Sequence, residues 1–231
     1  MLSALRARRL ERSLSPVSRA VRVRRLTYLR PERLRALERC AARVNRKRVV
    51  GDFVEAGLAL GGSALVLAAH MGAGRRFHGF DVFGMIPPPS DRDPPEVHER
   101  YATIAAGRSN GIRGDVYYGY RDDLYAHVAS TFAGFGMPVG ERVRLYKGLF
   151  AETLHPEAPV ALAHIDSDWF DPVDLCLRRI APHLSRGGMM VLDDYDDYGG
   201  CRDAVDRFIA EHGGMFALVR LGSNVAVVRR R

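Results

Sequence analysis

The chain has 231 residues, 47% of them hydrophobic, and a formal net charge of +8 at pH 7. That length suits one sizeable domain, or one domain with an appendage, and no apolar run approaches the roughly 20 residues of a membrane-spanning helix. The three cysteines, Cys40, Cys176 and Cys201, are odd in number and lack metal-ligand spacing, which points to buried free thiols in a reducing, cytoplasmic compartment.

The charge is unevenly placed. Residues 1–50 hold sixteen Lys and Arg against three Asp and Glu, and the remainder is net acidic. Such a segment can serve nucleic acid, an anionic membrane surface or an acidic partner. However, every basic residue except Lys47 and Lys147 is arginine, a skew that with abundant Ala and Gly fits a GC-rich genome better than phosphate recognition. Nucleic acid and membrane are therefore not the expected partners. The first 25 residues, rich in Arg and Ser, also fit a transit peptide, and the lack of an apolar core after Arg8-Arg9 argues against a secretory or twin-arginine signal. We read residues 1–48 as a basic helical extension that mediates homo-oligomerisation or caps an acceptor site, and residues 49–231 as the main domain.

In chain order, Pro31-Glu32 opens a helix through Leu34, Leu37, Cys40, Ala41 and Val44, at helical spacing. Val49 to Ala56 reads as a strand, Gly57-Leu-Ala-Leu-Gly-Gly62 as a glycine-rich turn, and Ser63 to about Met71 as a helix. A second strand, Arg76 to Phe80, ends at Asp81. Between Val82 and about Tyr101, Met-Ile-Pro-Pro-Pro-Ser-Asp-Arg-Asp-Pro-Pro excludes regular structure and reads as a lid or binding loop. Asp122 to Phe135 is helix-like, and Val143 to Tyr146 is a strand ending at Lys147-Gly148. Two apolar strands follow, Pro159 to Ile165 and Met189 to Leu192, joined by a helix from Val173 to Leu184 that Ser185-Arg-Gly-Gly188 stops. A helix from Cys201 to Glu211 precedes a hairpin, Phe216 to Val219 and Val225 to Val228. The alternation gives an α/β fold with a mostly parallel twisted sheet, helices on both faces and a C-terminal antiparallel hairpin, the class I methyltransferase variant of the Rossmann sheet.

Two acidic clusters carry the chemistry. His164-Ile-Asp-Ser-Asp168 and Asp193-Asp194 each end a strand of one strand-helix-strand crossover, so both lie on the same edge of the sheet. Converging carboxylates repel unless a cation sits among them, and an oxygen-ligated divalent ion is the economical answer. Asp166, Asp193 and Asp194 are the candidate ligands. Earlier in the chain, Glu55-Ala-Gly57 and Gly61-Gly62-Ser63 let a backbone approach a ligand at a helix N-terminus. Asp81, about 25 residues after the turn, stands where dinucleotide folds bind a ribose diol. The spacing departs from Gly-x-Gly-x-x-Gly, which favours an adenosyl ligand without pyrophosphate, such as S-adenosylmethionine. Trp169 reads as acceptor wall or core, Asp168 as exposed or supporting, His98 and His164 first as structural and second as auxiliary bases, and Tyr28 as a residue that can reach the acceptor.

From about Tyr28 to Phe208 the chain resembles the macrocin-type O-methyltransferases, which use S-adenosylmethionine and Mg²⁺ to methylate sugar hydroxyls of natural products. The resemblance rests on Gly51-Asp-Phe-Val-Glu-Ala-Gly57, Gly61-Gly62-Ser63, Asp81-Val-Phe-Gly84, Lys147-Gly-Leu-Phe150, Ile165-Asp-Ser-Asp168, Leu184-Ser-Arg-Gly-Gly188, Asp193-Asp-Tyr195 and Cys201-Arg-Asp-Ala-Val-Asp206. It implies that Glu55, Gly57 and Ser63 hold the methionine end of the cofactor, Asp81 the ribose, and Gly148, Leu149 and Phe150 the adenine. It implies Mg²⁺ on Asp166, Asp193 and Asp194. Asp166 is then the expected base toward a small hydroxylated acceptor. Methylation of a carboxylate or peptide, or of RNA through the basic segment, are the alternative readings. The chain departs from the pattern at Ala59-Leu60, Ser167 and Asp171-Pro172, close to the cofactor and acceptor.

Overall fold

The computed structural model describes residues 9–230. The transit-peptide reading, and Arg8 of the Arg8-Arg9 pair, fall partly on residues 1–8, outside the described part. The elements are α1 (Pro16–Val23), α2 (Pro31–Arg46), β1 (Asp52–Ala56), α3 (Gly62–His70), β2 (Phe77–Asp81), α4 (Pro95–Ala105), α5 (Leu124–Gly134), β3 (Val143–Lys147), α6 (Phe150–Thr153), β4 (Val160–Ile165), α7 (Phe170–Ile180), β5 (Leu184–Leu192), α8 (Gly199–His212), β6 (Phe216–Leu221) and β7 (Asn224–Arg229). The strands form one seven-stranded sheet in the order β3-β2-β1-β4-β5-β7-β6. β1 to β5 pair in parallel, and β7 pairs antiparallel with β5 and with β6. The fold is the expected one. Among the described residues, no helix is long and apolar enough to cross a membrane.

The strand pleat sorts side chains between two layers. Phe53, Phe77, Leu162, Met189 and Val191 face α1, α2, α3 and α5 in one apolar cluster. Val54, Ile165, Met190 and Leu192 face α7 and α8 in the other. Each wholly buried Phe or Leu stabilises the fold by about 1.5–3 kcal/mol. The N-terminal helices contribute Val21, Leu34, Leu37 and Val44 to the first cluster, with Leu14 just before α1, so the N-terminal region shares the core of the sheet.

Three elements differ from the sequence reading. The lid is irregular only to Pro94; α4 follows, with Pro95 at its first position, where a missing N–H costs nothing. Helix α7 ends at Ile180, because Pro182 cannot continue it. The Ser185–Gly188 segment lies inside β5 as a register break: Val160 pairs with Leu184 but Leu162 with Met189, and Gly187 takes φ +78°.

Candidate active site

The C-terminal ends of β1, β4 and β5 meet at one edge, and pairing fixes who stands beside whom. Glu55 pairs with His164, and His164 with Val191. Glu55 and His164 share the face of Phe53 and Leu162, toward the N-terminal helices. Asp193, one pleat beyond Val191, points the same way.

Along this face runs a chain of alternating charge. His164 Nδ1 lies 2.7 Å from Glu55 Oε1, both side chains fully buried. His164 Nε2 stands 3.7 Å from Asp193 Oδ1, an ion-pair distance rather than a hydrogen bond. Arg33, on the first turn of α2, donates to Asp193 Oδ2 at 2.6 Å and to Asp197 Oδ2 at 2.5 Å. Burial opposes charge on His164, but Asp193 and Glu55 outweigh it and push its pKa up to about 10. Burial likewise opposes ionisation of Asp193, yet His164 and Arg33 hold its carboxyl below the usual range.

Asp193, expected as a metal ligand, lines the same cavity as Asp166, Asp168 and Asp194, with its carboxylate engaged by Arg33. The carboxylates that come together are Asp166, Asp168 and Asp194, with one oxygen of each within 4.8 Å of the others. The pleat turns Asp193 toward α2, whereas a left-handed backbone at Asp168 (φ 55°) brings its side chain back over the edge. Among the described residues, none of the three has a cationic side chain within 4.0 Å. Burial first, then neighbouring carboxylates, push Asp166 and Asp194 well above the ordinary Asp value and Asp168 up to about 7. Three oxygen donors with mutual repulsion and no protein cation fit a hard divalent ion such as Mg²⁺.

Gly57 shapes the same edge. At φ +91°, a Cβ there would lie 1.7 Å from the Asp166 carbonyl oxygen, so only glycine allows β1 to pass the β4 turn. Asp81 is engaged by the backbone: its carboxylate accepts from the N–H groups of Leu58 (2.6 Å), Ala59 (3.2 Å) and Phe83 (2.6 Å), tying the glycine-rich turn to the start of the lid. Burial raises its pKa, and those three donors oppose the rise.

Two cavities adjoin the trio. One, about 270 Å³, is mainly apolar, with Leu149, Phe150, Ile86 and Pro87 in its walls. The other, about 480 Å³, is more polar and is walled by Tyr28, Arg33, Arg100, Tyr117 and Tyr198. Gly57, Asp81, Tyr118, Asp166, Asp168 and Trp169 line both, so Asp166 and Asp168 sit on their common wall, and Asp194 lines the polar one. A wider opening of about 630 Å³ lies at the far end of the strands, around Arg48, Arg75 and Pro159, but its one acid is Asp52. The lid is pinned over the junction: Trp169 Nε1 donates to the Pro87 carbonyl at 3.1 Å, and Phe170 N to Asp93 Oδ1 at 2.8 Å.

Of the expected cofactor residues, Gly57, Asp81, Leu149 and Phe150 line the apolar cavity. Glu55 and Ser63 are buried behind the turn, and Gly148 (φ +150°) shapes the entry to α6. Tyr28 and Trp169 wall the polar cavity, while His98 is exposed on α4 and outside it. The sequence reading missed Arg33, Arg100, Tyr117 and Tyr118; the run Tyr117-Tyr118-Gly-Tyr120 was a signal for the aromatic ones, and nothing local marks Arg33.

Comparison with known proteins identifies the family. The family model described as macrocin-O-methyltransferase (TylF) matches residues 25–230. The 8-demethyl-8-(2,3-dimethoxy-alpha-L-rhamnosyl)-tetracenomycin-C 4'-O-methyltransferase of Streptomyces olivaceus is 30% identical over 195 residues, 79% of this chain and 67% of that protein. Demethyldecarbamoylnovobiocin O-methyltransferase of Streptomyces niveus is 28% identical over 198 residues, 80% of this chain and 68% of that protein. The solved structure of the O-methyltransferase NovP is alike in fold, with a TM-score of 0.72 at 24% identity, covering 89% of this chain and 82% of its own. The chain belongs to the macrocin-O-methyltransferase family and is an O-methyltransferase.

Proposed function

We propose that this enzyme methylates a hydroxyl group on the sugar of a glycosylated natural product in secondary metabolism, with S-adenosylmethionine as donor and Mg²⁺ as cofactor. The observation that carries this reading is the position of Asp166 and Asp168 on the wall shared by an apolar and a polar cavity, with Asp194 beside them on the polar side. Methyl transfer needs donor and acceptor on opposite sides of one reacting point, and a shared wall is such a place. The similar enzymes from both Streptomyces species are named for glycosylated or novobiocin-type substrates, which supports a glycoside acceptor.

The apolar cavity suits the adenosyl part of the cofactor, between Leu149, Phe150 and Pro87. Gly57 keeps the backbone low where the methionine end enters, and Asp81, set by three backbone donors, presents its remaining lone pairs to the ribose. Glu55 and Ser63 support the turn from behind. Tyr28, Tyr117 and Tyr198 offer flat faces and phenol groups to a sugar ring. Asp166, Asp168 and Asp194 would hold Mg²⁺, which when bound lowers the pKa of a hydroxyl and orients it. The hydroxyl proton goes to an Asp166 carboxylate oxygen, and Trp169 with the pinned lid excludes water. The three cysteines are free and buried, which fits a cytoplasmic enzyme.

Incubation with methyl-labelled S-adenosylmethionine and a panel of deoxysugar glycosides tests the reading. Label is expected in an alkali-stable ether, lost in EDTA and restored by Mg²⁺. Full transfer in EDTA removes the metal from the account, and label in an alkali-labile ester or in RNA replaces the acceptor.

A further inference from the structure

Six residues line both cavities, and five of them have a task. Gly57 keeps the backbone low, Asp81 ties the turn, Asp166 and Asp168 belong to the carboxylate trio, and Trp169 pins the lid. The sixth, Tyr118, has none. It stands where the reacting centre lies if donor and acceptor occupy the two cavities, and its ring is firmly seated. Tyr118 opens a short 3₁₀ turn, Tyr118–Tyr120. Tyr120 Oη fastens that turn to α4, donating to the Ile104 carbonyl at 2.6 Å, and accepts from Ser109 N at 3.1 Å. Gly119 is buried, and a Cβ there would lie 2.8 Å from the Tyr117 ring and 3.3 Å from the Gly84 carbonyl oxygen, so the turn fits closely against the lid. The Tyr118 ring packs on Tyr117 with 4.4 Å between centroids and meets Tyr28 at 67°. Burial, ahead of the neighbouring Tyr117 and Asp168, holds its phenol well above the ordinary tyrosine pKa, so the group is a neutral ring and not a base. Trp169, the other aromatic of the six, is turned to the lid and to Tyr198, its indole N–H on the Pro87 carbonyl and its ring T-shaped to Tyr198.

We propose that the ring of Tyr118 receives the sulfonium of S-adenosylmethionine on its π face, so that the site holds the charged donor more tightly than the uncharged product. The inference rests on the donor reading above. An aromatic face attracts a cation within about 6 Å through its quadrupole, and more strongly where water is excluded. In the transfer the methyl carbon bonds to the acceptor oxygen as its bond to sulfur breaks. The bonding pair returns to sulfur, the hydroxyl proton goes to Asp166, and the sulfur becomes a neutral thioether. The attraction to Tyr118 therefore fades along the reaction. It contributes to capture of the donor and to release of S-adenosylhomocysteine, and not to the chemical step, because it is weaker in the transition state than in the bound donor.

The test needs no acceptor. Calorimetry of the full chain with Mg²⁺ present gives the Kd of S-adenosylmethionine and of S-adenosylhomocysteine for the wild type, Tyr118→Phe and Tyr118→Leu. The ratio of the two is the readout, because loss of plain apolar contact weakens both ligands alike. Tyr118→Leu is expected to lower the preference for the charged ligand about fivefold, the size of one cation–π contact, and Tyr118→Phe to keep it. A phenylalanine with two ring fluorines at the same position has nearly the shape of phenylalanine and a less negative face. It is expected to lower the preference about twofold relative to Tyr118→Phe, and it carries the test if Tyr118→Leu does not fold. An unchanged ratio in a folded Tyr118→Leu, or in the fluorinated protein, overturns the proposal and leaves Tyr118 as an apolar wall. A wild type that binds neither ligand overturns the donor reading itself, and this inference with it.

Discussion

Replacing Asp194 by Asn removes one charge from the trio and leaves the shape of the side chain. Two unit charges 4.8 Å apart, the outer limit among these oxygens, repel by about 3 kcal/mol at an effective dielectric of ~20. Uptake of a proton by one carboxyl limits that penalty, so the expected gain in stability at pH 8 is roughly 1–3 kcal/mol. For a chain of this length each kcal/mol moves Tm by about 2–4 °C, giving a rise of roughly 2–12 °C for Asp194→Asn in EDTA. Adding Mg²⁺ at a hundred times its Kd should stabilise the wild type by about 2.7 kcal/mol and the variant by far less. Scanning calorimetry of both proteins, in EDTA and in Mg²⁺, reads all four values. A variant less stable than the wild type in EDTA, with an equal response of both to Mg²⁺, would refute the claim that repulsion at this edge is what a cation relieves.

The carboxyls of Asp166, Asp168 and Asp194 are raised in the folded state, so the native protein binds their protons more tightly than the unfolded chain does. Their protonated forms are tolerated at low pH, and stability is lost as pH rises toward and through the Asp168 value of about 7. Wild-type Tm in EDTA should therefore fall between pH 5 and pH 8, and the stabilisation by Mg²⁺ should be larger at pH 8; a metal response that shrinks with pH contradicts this. His164 contributes stability that is whole below its unfolded pKa and is lost as pH climbs toward 10, so the stability gap between wild type and His164→Gln should narrow from pH 6 to pH 10. Gly57→Ala places a Cβ 1.7 Å from the Asp166 carbonyl and should abolish turnover and lower Tm; a variant with normal kcat and Tm shows that the turn is not needed there. Leu149→Ala should weaken calorimetric binding of S-adenosylhomocysteine about tenfold, in line with roughly 1.5 kcal/mol for apolar burial, and unchanged affinity moves the adenine elsewhere.

Most of the fold was legible because its strands are short apolar runs with clear stops, and a crossover helix fixes the two acidic strand ends on one edge. Helix α4 was hidden by the prolines before it: the same residues that forbid a helix interior are favoured at its first turn. The trio was legible in two of its members, Asp166 and Asp194. The third depends on facts that spacing does not carry. Asp193 and Asp194 sit on opposite sides of the pleat, and only the register Glu55–His164–Val191 shows that Asp193 faces α2. Asp168 enters through a single left-handed residue, which the sequence permits without requiring. Arg33 was invisible for a different reason: its partners lie 160 and 164 residues away, and among so many arginines nothing local distinguishes it.

The most direct measurement is a crystal structure of the protein with S-adenosylhomocysteine and Mn²⁺, with the metal located by its anomalous signal. The expected result is one strong peak among Asp166, Asp168 and Asp194, with the adenine between Leu149 and Phe150 and the sulfur facing the polar cavity. A peak away from these carboxylates, or the nucleoside in the tyrosine-lined cavity, would contradict the assignment of donor and acceptor to the two sides of the trio.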